Sequence, residues 1–278
     1  MQVRLAADAA EFLAATADLR AADPVRTNVL GSVATGVAGG IRYEAESWFL
    51  AEDAGEVVGA ALWTVPHRLL VAPTGDDAAA AIGAAAARRS DELGIPLSGV
   101  VGLRSVAERA ADAVGRPWTL RMEERLLVLH DYLPPSGVPG VARRSTEADR
   151  ELVRAWRRDF FVEADVVVQD DESLLRRALL STRIWEVDGT PVSMAAHAPV
   201  VSTPSGGVGR IGPVYTPPEH RRHGYGGAVT AAVVEHLLPL VDTVMLFADA
   251  ANPTSNHVYE ALGFVHESDM VELEFEPV

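Results

Sequence analysis

The stretch of residues 211–238, IGPVYTPPEHRRHGYGGAVTAAVVEHLL, constrains the fold of this chain more than any other. Residues 210–215 form a short apolar run that predicts a β-strand, and the prolines that follow end it because proline offers no N–H to a sheet. A polar loop over residues 219–227 comes next, and the spacing of apolar residues predicts a helix over residues 228–238. Strand, glycine-rich basic loop and helix together present backbone N–H groups and the positive end of a helix to a phosphate.

The loop holds the residue types that a pyrophosphate site requires. Its glycines permit positive φ and keep side chains away from a ligand, and its basic residues supply positive charge just before the helix. The start of an ordinary helix with solvated arginines has the same composition, so this alternative stays open. The glycines are Gly224, Gly226 and Gly227, and the basic residues are Arg221, Arg222 and His223.

Two other phosphate-binding motifs are excluded. The Walker A motif requires a lysine, and the sequence contains none. The dinucleotide-binding motif Gly-x-Gly-x-x-Gly would begin at Gly224, but Val229 stands where its third glycine belongs.

The remaining pattern resembles the acetyl-CoA loop of the GCN5-related N-acetyltransferase (GNAT) family. That family's central signature is Gln/Arg-x-x-Gly-x-Gly/Ala between a strand and a helix, and residues 221–226 are RRHGYG. Its second signature is an Asn-led helix ending in Tyr-x-x-x-Gly-Phe/Tyr, and residues 252–264 are NPTSNHVYEALGF. An apolar strand at residues 243–247 separates the two motifs, and the resemblance covers about the last half of the chain.

The resemblance implies a mixed α+β fold, the acyl-CoA N-acyltransferase fold, with a central sheet flanked by helices. Acetyl-CoA is expected where the strand of residues 211–216 parts from that of residues 243–249, and Gly212-Pro213 is expected to supply a bulge that forces the parting. The expected cofactor-binding residues are Val214, Tyr215, Thr216, Arg221, Arg222, His223, Gly224, Tyr225, Gly226, Gly227, Asn252 and Ser255.

Tyr259 matches the general acid of the family, which protonates the CoA thiolate as it leaves. The alternative is a half-buried aromatic side chain on an amphipathic helix. Asn252 is expected to cap that helix, with Pro253 in its first position, and to touch the cofactor as well.

The sequence does not single out a general base or a metal site. Residues 160–171, FFVEADVVVQDD, occupy the place of the family's acceptor pocket, and their acids could hold a cationic acceptor or be merely solvated. Four histidines have no spacing to carboxylates that suggests a metal site: His220, His223, His257 and His266. The candidate bases are Glu163, Asp165, Glu186, His197 and Asp249.

The order of elements repeats along the chain. The predicted hairpin of residues 184–197 lines up with residues 48–62, and a similar order of strands and helices follows each. We therefore predict tandem copies: a degenerate domain at residues 1–135 and a catalytic domain at residues 141–278. In the first copy, residues 74–77 (TGDD) replace the basic loop, and their aspartates would repel a pyrophosphate. The alternative is that any α+β chain shows such a rough parallel.

Composition narrows the classes of protein. The net charge of −15 argues against a nucleic-acid partner, although it could favour cationic acceptors or only aid solubility. No cysteine is present for disulfides or a thioester intermediate. No signal peptide and no membrane-length apolar run are recognisable, so we expect a cytoplasmic protein without a membrane partner.

These observations predict an acetyl-CoA-dependent N-acetyltransferase that transfers acetyl directly to a primary amine of a small molecule or peptide. Two alternatives stay open: a non-enzymatic acyl-CoA sensor, and a transferase using another donor such as aminoacyl-tRNA. The sequence does not determine the acceptor or the oligomeric state, and a homodimer is one possibility.

Overall fold

The computed structural model describes residues 1–166, 172–204 and 206–277. The first half of the chain contains β1 (Gln2–Leu5), α1 (Ala9–Ala15), α2 (Ala17–Ala22), α3 (Asn28–Ala38), β2 (Glu46–Asp53), β3 (Glu56–Thr64), β4 (Leu69–Val71), α4 (Asp76–Leu93), β5 (Gly99–Leu103), α5 (Arg104–Val114) and β6 (Trp118–Leu129). The second half contains β7 (Val141–Arg144), α6 (Arg150–Glu163), α7 (Glu172–Ser181), β8 (Arg183–Val187), β9 (Thr190–His197), β10 (Val201–Thr203), β11 (Gly206–Tyr215), α8 (Tyr225–Leu237), β12 (Thr243–Asp249), α9 (Pro253–Ala261) and β13 (Phe264–Phe275).

The two halves have the same order of elements. In each, helices precede an antiparallel hairpin, and a strand, helix and strand follow in which the two strands lie parallel: β4 with β5, and β11 with β12. A last helix and a last strand complete each half. The mixed sheet and the tandem repeat predicted from the sequence are therefore both present.

The described strands join into one sheet in the order β1-β2-β3-β4-β5-β13-β6-β12-β11-β9-β8-β7, with β10 paired to β11. The last strand of each half lies in the other half's part of that sheet, because β6 pairs with β12 and β13 pairs with β5. These two exchanged strands also pair with each other, from Phe264 opposite Leu129 to Phe275 opposite Trp118. The division into residues 1–135 and 141–278 as separate domains stays a prediction, since each half's sheet contains one strand from the other.

Helices cover both faces of the sheet. In the second half, α8 and α9 cover the face that we call the front, where Val233 and Leu237 are fully buried. Helices α6 and α7 cover the back face around Val153 and Ile184. Burying one such aliphatic side chain contributes about 1.5–3 kcal/mol, so these contacts fix the helices against the strands.

One predicted boundary is wrong. The helix predicted over residues 228–238 is α8, which begins at Tyr225, because Tyr225 is buried and each glycine in the first turn costs only about 1 kcal/mol. Strand β6 begins at Trp118, and β13 pairs along its whole length. Helix α6 runs to Glu163 and contains the first residues of the 160–171 segment, of which residues 167–171 lie outside the described residues.

No helix in the described part of the chain combines the length and the apolar character needed to cross a membrane.

Candidate functional site

Strands β11 and β12 pair over only part of their length. Their parallel ladder runs from Val208 opposite Thr243 to Ile211 opposite Leu246. Beyond Ile211, the pairing of β11 with β9 shifts register and resumes at Val214, while the end of β12 pairs with β6 on its far side. The predicted parting of the strands and the irregularity at Gly212-Pro213 are both present, and residues 214–216 have no ladder partner on β12.

Helix α8 directs its N-terminus to this gap. Gly224 is the N-cap, with φ 82° and ψ 0°, and no side chain caps the helix. The first-turn N–H groups of Tyr225, Gly226 and Gly227 therefore have no side-chain acceptor at the positive end of the helix. A Cβ built on Gly226 would lie 3.4 Å from Oγ1 of Thr216, so the end of β11 and the start of α8 are in contact. This geometry suits an anionic ligand.

The basic residues of the loop are exposed. Arg221 donates from Nη2 to both carboxylate oxygens of Glu163, at 2.9 and 2.7 Å, and from Nε to the carbonyl of Thr216 at 2.9 Å. Its guanidinium lies 6.0 Å from the ring centre of Tyr215. His223 stacks on Tyr225 with ring centres 5.3 Å apart. The charge of Arg221 is therefore compensated by Glu163, whereas Arg222 has φ 64° in the left-handed region and faces solvent.

Tyr259 lies on α9 and packs against the core formed by α8 and β12. Its ring meets Phe264 edge to face at 6.2 Å, and the side chain is half-buried. Burial raises the pKa of the Tyr259 phenol to about 12, so the hydroxyl is protonated at neutral pH. No described residue hydrogen-bonds to this hydroxyl.

Asn252 caps α9 as the sequence predicts. Its Oδ1 accepts a hydrogen bond from the N–H of Ser255 at 3.1 Å, and Pro253 occupies the first position of the helix. Asn256, one turn further, donates to the carbonyls of Asp249 and Asn252 at 3.0 and 2.8 Å. These bonds fix α9 to the end of β12. Whether Asn252 and Ser255 also touch a cofactor stays a prediction.

The candidate bases do not lie together. Glu163 pairs with Arg221, Asp165 with Arg121 at 2.6 Å, and Glu186 with Arg143 at 2.7 Å. Asp249, at the end of β12, accepts the N–H of Ala251 at 2.8 Å.

His197 lies opposite Ile211 in the ladder of β9 with β11, on the side of β11 away from β12. Its ring is 5.4 Å from that of His236, which is on the last turn of α8. At about 1.5 Å per residue, that turn is roughly 16 Å from the helix N-terminus. Burial lowers the pKa of His197, so this imidazole is neutral at pH 7 and structural in its contacts.

Sequence reasoning missed a group of polar side chains on the back face beside the gap. Glu124 of β6 lies opposite Asp249 of β12 in the ladder. Arg210 of β11 donates to Oδ1 of Asn28 at 3.1 Å and to Oγ of Ser32 at 3.3 Å, and both acceptors are on α3 of the first half. In the sequence, Glu124 and Arg210 are recognisable only as charged residues within stretches that form strands. Their partners could not be predicted, because the two halves of the chain exchange strands.

No group of three or more His, Asp or Glu side chains within the described ranges has an arrangement that could hold a metal ion.

Comparison with known proteins gives a match to one family model over part of the chain, and a fold over nearly all of it. Residues 193–271, which include both motifs, match the model of the family described as FR47-like protein. No curated protein sequence matches the chain.

Solved structures match almost the whole chain. A GCN5-related N-acetyltransferase from Kribbella flavida is 17% identical, with a TM-score of 0.63 over 91% of this chain and 96% of that chain. A GNAT-family acetyltransferase from Colwellia psychrerythraea is 8% identical, with a TM-score of 0.61 over 99% of this chain and 100% of that one. A tandem GNAT protein from the clavulanic acid biosynthesis pathway is 16% identical, with a TM-score of 0.61 over 100% of both chains. At these identities the likeness establishes the fold, and the predicted resemblance is confirmed in its tandem form.

Proposed function

From the premise that this chain has the tandem GNAT fold, we propose that it is an acetyl-CoA-dependent N-acetyltransferase whose active site lies in the second half. The reaction is direct transfer of acetyl to a primary amine of a small molecule or peptide. The observation that carries the proposal is the parting of β11 from β12 beside the uncapped N-terminus of α8. The same gap therefore offers a free strand edge to the amide-containing pantetheine arm of acetyl-CoA and a positive helix end to the pyrophosphate of acetyl-CoA.

In this proposal the pantetheine arm lies along residues 214–216 and the pyrophosphate lies on the N–H groups that follow Gly224. Arg222 is exposed and adds positive charge, and the exposed ring of His223 lies beside it. Arg221 releases Glu163 and binds the phosphates instead, because a carboxylate and a phosphate both offer the paired oxygens that a guanidinium prefers. The first half lacks this loop, since Asp76 and Asp77 stand in the first turn of α4, and we propose that it binds no cofactor.

Tyr259 serves as the proton donor to the sulfur. The amine attacks the thioester carbon, a C–N bond forms, and the C–S bond breaks to release a CoA thiolate. The buried phenol is protonated at working pH and can give its proton to that thiolate. The proton that leaves the nitrogen as the amide forms restores the phenol.

Two measurements test the proposal. Acetyl-CoA and CoA are titrated calorimetrically into the protein, and CoA release is followed with a chromogenic thiol reagent on a panel of amines and lysine-containing peptides. The chain contains no cysteine, so every thiol detected comes from CoA. We expect binding, amine-dependent release, and a loss of about 10²–10⁴ in kcat in Tyr259→Phe with unchanged acetyl-CoA affinity.

The outcomes separate the alternatives. Absence of acetyl-CoA binding refutes the cofactor assignment and the enzyme together. Binding without release on any amine supports a non-enzymatic acyl-CoA module instead. Because no described residue hydrogen-bonds to the Tyr259 hydroxyl, Tyr259→Phe should keep its thermal stability, and an unchanged rate in that variant removes Tyr259 as the acid.

A further inference from the structure

The exchanged strand β6 brings a carboxylate to the edge of the gap. Glu124 is paired with Asp249 of β12 on one side and with Met270 of β13 on the other. Side chains alternate along a strand, so Glu124 and Leu126 lie on the same face of the sheet. Leu126 packs in one buried cluster with Met245, on the back face. This face is opposite the one that α8 and α9 cover. A ligand held at α8 and a second molecule near Glu124 would therefore approach the gap from opposite faces of the sheet.

The carboxyl group of Glu124 is half-buried, and no described residue hydrogen-bonds to it or forms an ion pair with it. Its charged neighbours are Glu272 of β13, Asp249 of β12, Arg210 of β11 and Arg121 of its own strand. Burial, aided by Glu272 and Asp249 and opposed by the two arginines, raises the pKa of Glu124 to about 7.

A second, independent feature marks the same side of the gap. Asn28 is 1% exposed, and its Oδ1 accepts the hydrogen bond from Arg210. Its Nδ2 is buried without a hydrogen-bond partner among the described residues. A buried donor without a partner destabilises the fold, and a polar group of a bound molecule that accepts its hydrogen bond would offset this loss. The first half thus contributes an unsatisfied donor from α3 and an unpaired carboxyl from β6.

We propose that Glu124 is the group that takes the proton from a cationic amine acceptor, so that the first half of the chain supplies the base for the active site of the second half. The inference rests on the proposed function. The ammonium of the acceptor gives one proton to the Glu124 carboxylate, and the free amine attacks the acetyl carbon. The second proton that leaves the nitrogen balances the one that Tyr259 gives to sulfur, and Glu124 returns its proton to solvent.

The acceptor that this side of the gap favours carries more than one positive charge. Besides Glu124, the neighbouring strands contribute Asp249 and Glu272, and Oε2 of Glu272 is already paired with Arg121 at 2.6 Å and with Arg68 at 3.3 Å. A second ammonium on the acceptor would meet carboxylate oxygens that the arginines leave free. Putrescine and butylamine are suitable probes, because they share a four-carbon chain and differ by one ammonium group.

The experiment compares wild type, Glu124→Gln and the matched control Glu123→Gln. Glu123 is on the same strand but pairs with Arg104 at 2.7 Å, outside the back-face group. We expect wild type to acetylate putrescine with a higher kcat/KM than butylamine and with an acid limb near pH 7. Glu124→Gln should lower kcat/KM for putrescine by about 10²–10⁴ and flatten the acid limb, with acetyl-CoA affinity unchanged. Glu123→Gln should behave as wild type.

Each adverse result has a distinct meaning. A rate in Glu124→Gln within threefold of wild type, or an acid limb that persists in that variant, overturns the assignment of Glu124. Failure of wild type to acetylate putrescine while it binds acetyl-CoA overturns the acceptor class. Failure of wild type to bind acetyl-CoA at all instead refutes the proposed function on which the inference rests.

Discussion

Replacing Gly224 by alanine distinguishes a phosphate-binding loop from the start of an ordinary helix. Gly224 has φ 82° in the left-handed region, and a Cβ on it would lie 3.1 Å from a methyl carbon of Val138. A side chain in that conformation costs about 1–2 kcal/mol. We therefore expect the free energy of unfolding to fall by about 1–2 kcal/mol, and the thermal midpoint to fall by roughly 2–8 °C.

The effect on affinity is larger if the loop holds a pyrophosphate. Relief of the strain at Gly224 rotates the N–H groups of Tyr225 and Gly226, which are the first two of α8. One hydrogen bond to a charged group contributes about 1.5–3 kcal/mol. Loss of one such bond would weaken acetyl-CoA binding by about 10- to 150-fold.

Gly115→Ala is the matched control. Gly115 has φ 77° at the C-terminus of α5, and no described atom lies within 4 Å of a Cβ there. This variant should lose similar stability and keep wild-type affinity, as measured by calorimetric titration and thermal unfolding. The placement of the cofactor on this loop would be refuted by one result: Gly224→Ala loses as much stability as Gly115→Ala but binds acetyl-CoA with wild-type affinity.

Two further predictions follow from ion pairs of the second half. Arg143 donates to both oxygens of Asp149 at 2.7 Å and lowers the pKa of that carboxyl to about 2. The pair therefore stabilises the fold above the unfolded pKa near 4, by roughly 2 kcal/mol, and this contribution is lost as pH falls from about 4 to 2. Urea unfolding of wild type and Asp149→Asn should differ at pH 7 and converge near pH 2, and a constant difference would contradict the assignment. Glu163→Gln releases Arg221 and should tighten acetyl-CoA binding by about two- to fivefold at low salt, less at high salt. Glu219→Gln, an exposed carboxylate on the same loop, is the control, and an equal gain in it would indicate net charge instead.

The features of the site that depend on residues close together in the chain could be predicted from the sequence. Asn252 caps α9 because its side chain accepts a hydrogen bond from the N–H of the residue three positions later. Such a short spacing can be recognised from a single sequence. The parting of β11 from β12 was expected from the resemblance, and Gly212-Pro213 marks the place because a bulge needs an interruption of the ladder.

The parts that depend on distant pairing could not be predicted. Alternation along β6 shows which residues share a face, but it does not show that β12, rather than β5, lies beside it. Glu124 therefore gave no sign in the sequence of its place opposite Asp249. Arg210 likewise stood in an apolar run without a visible partner, since Asn28 comes from the other half of the chain.

The exchange of β6 and β13 has a consequence for synthesis on the ribosome. Strand β5 ends at Leu103 and its partner β13 begins at Phe264, about 160 residues later. At about 5–20 residues per second, translation leaves that edge of the nascent chain open for roughly 10–30 s. An open strand edge pairs readily with other chains, so the emerging first half depends on chaperones or on its neighbouring helices for protection until the second half arrives.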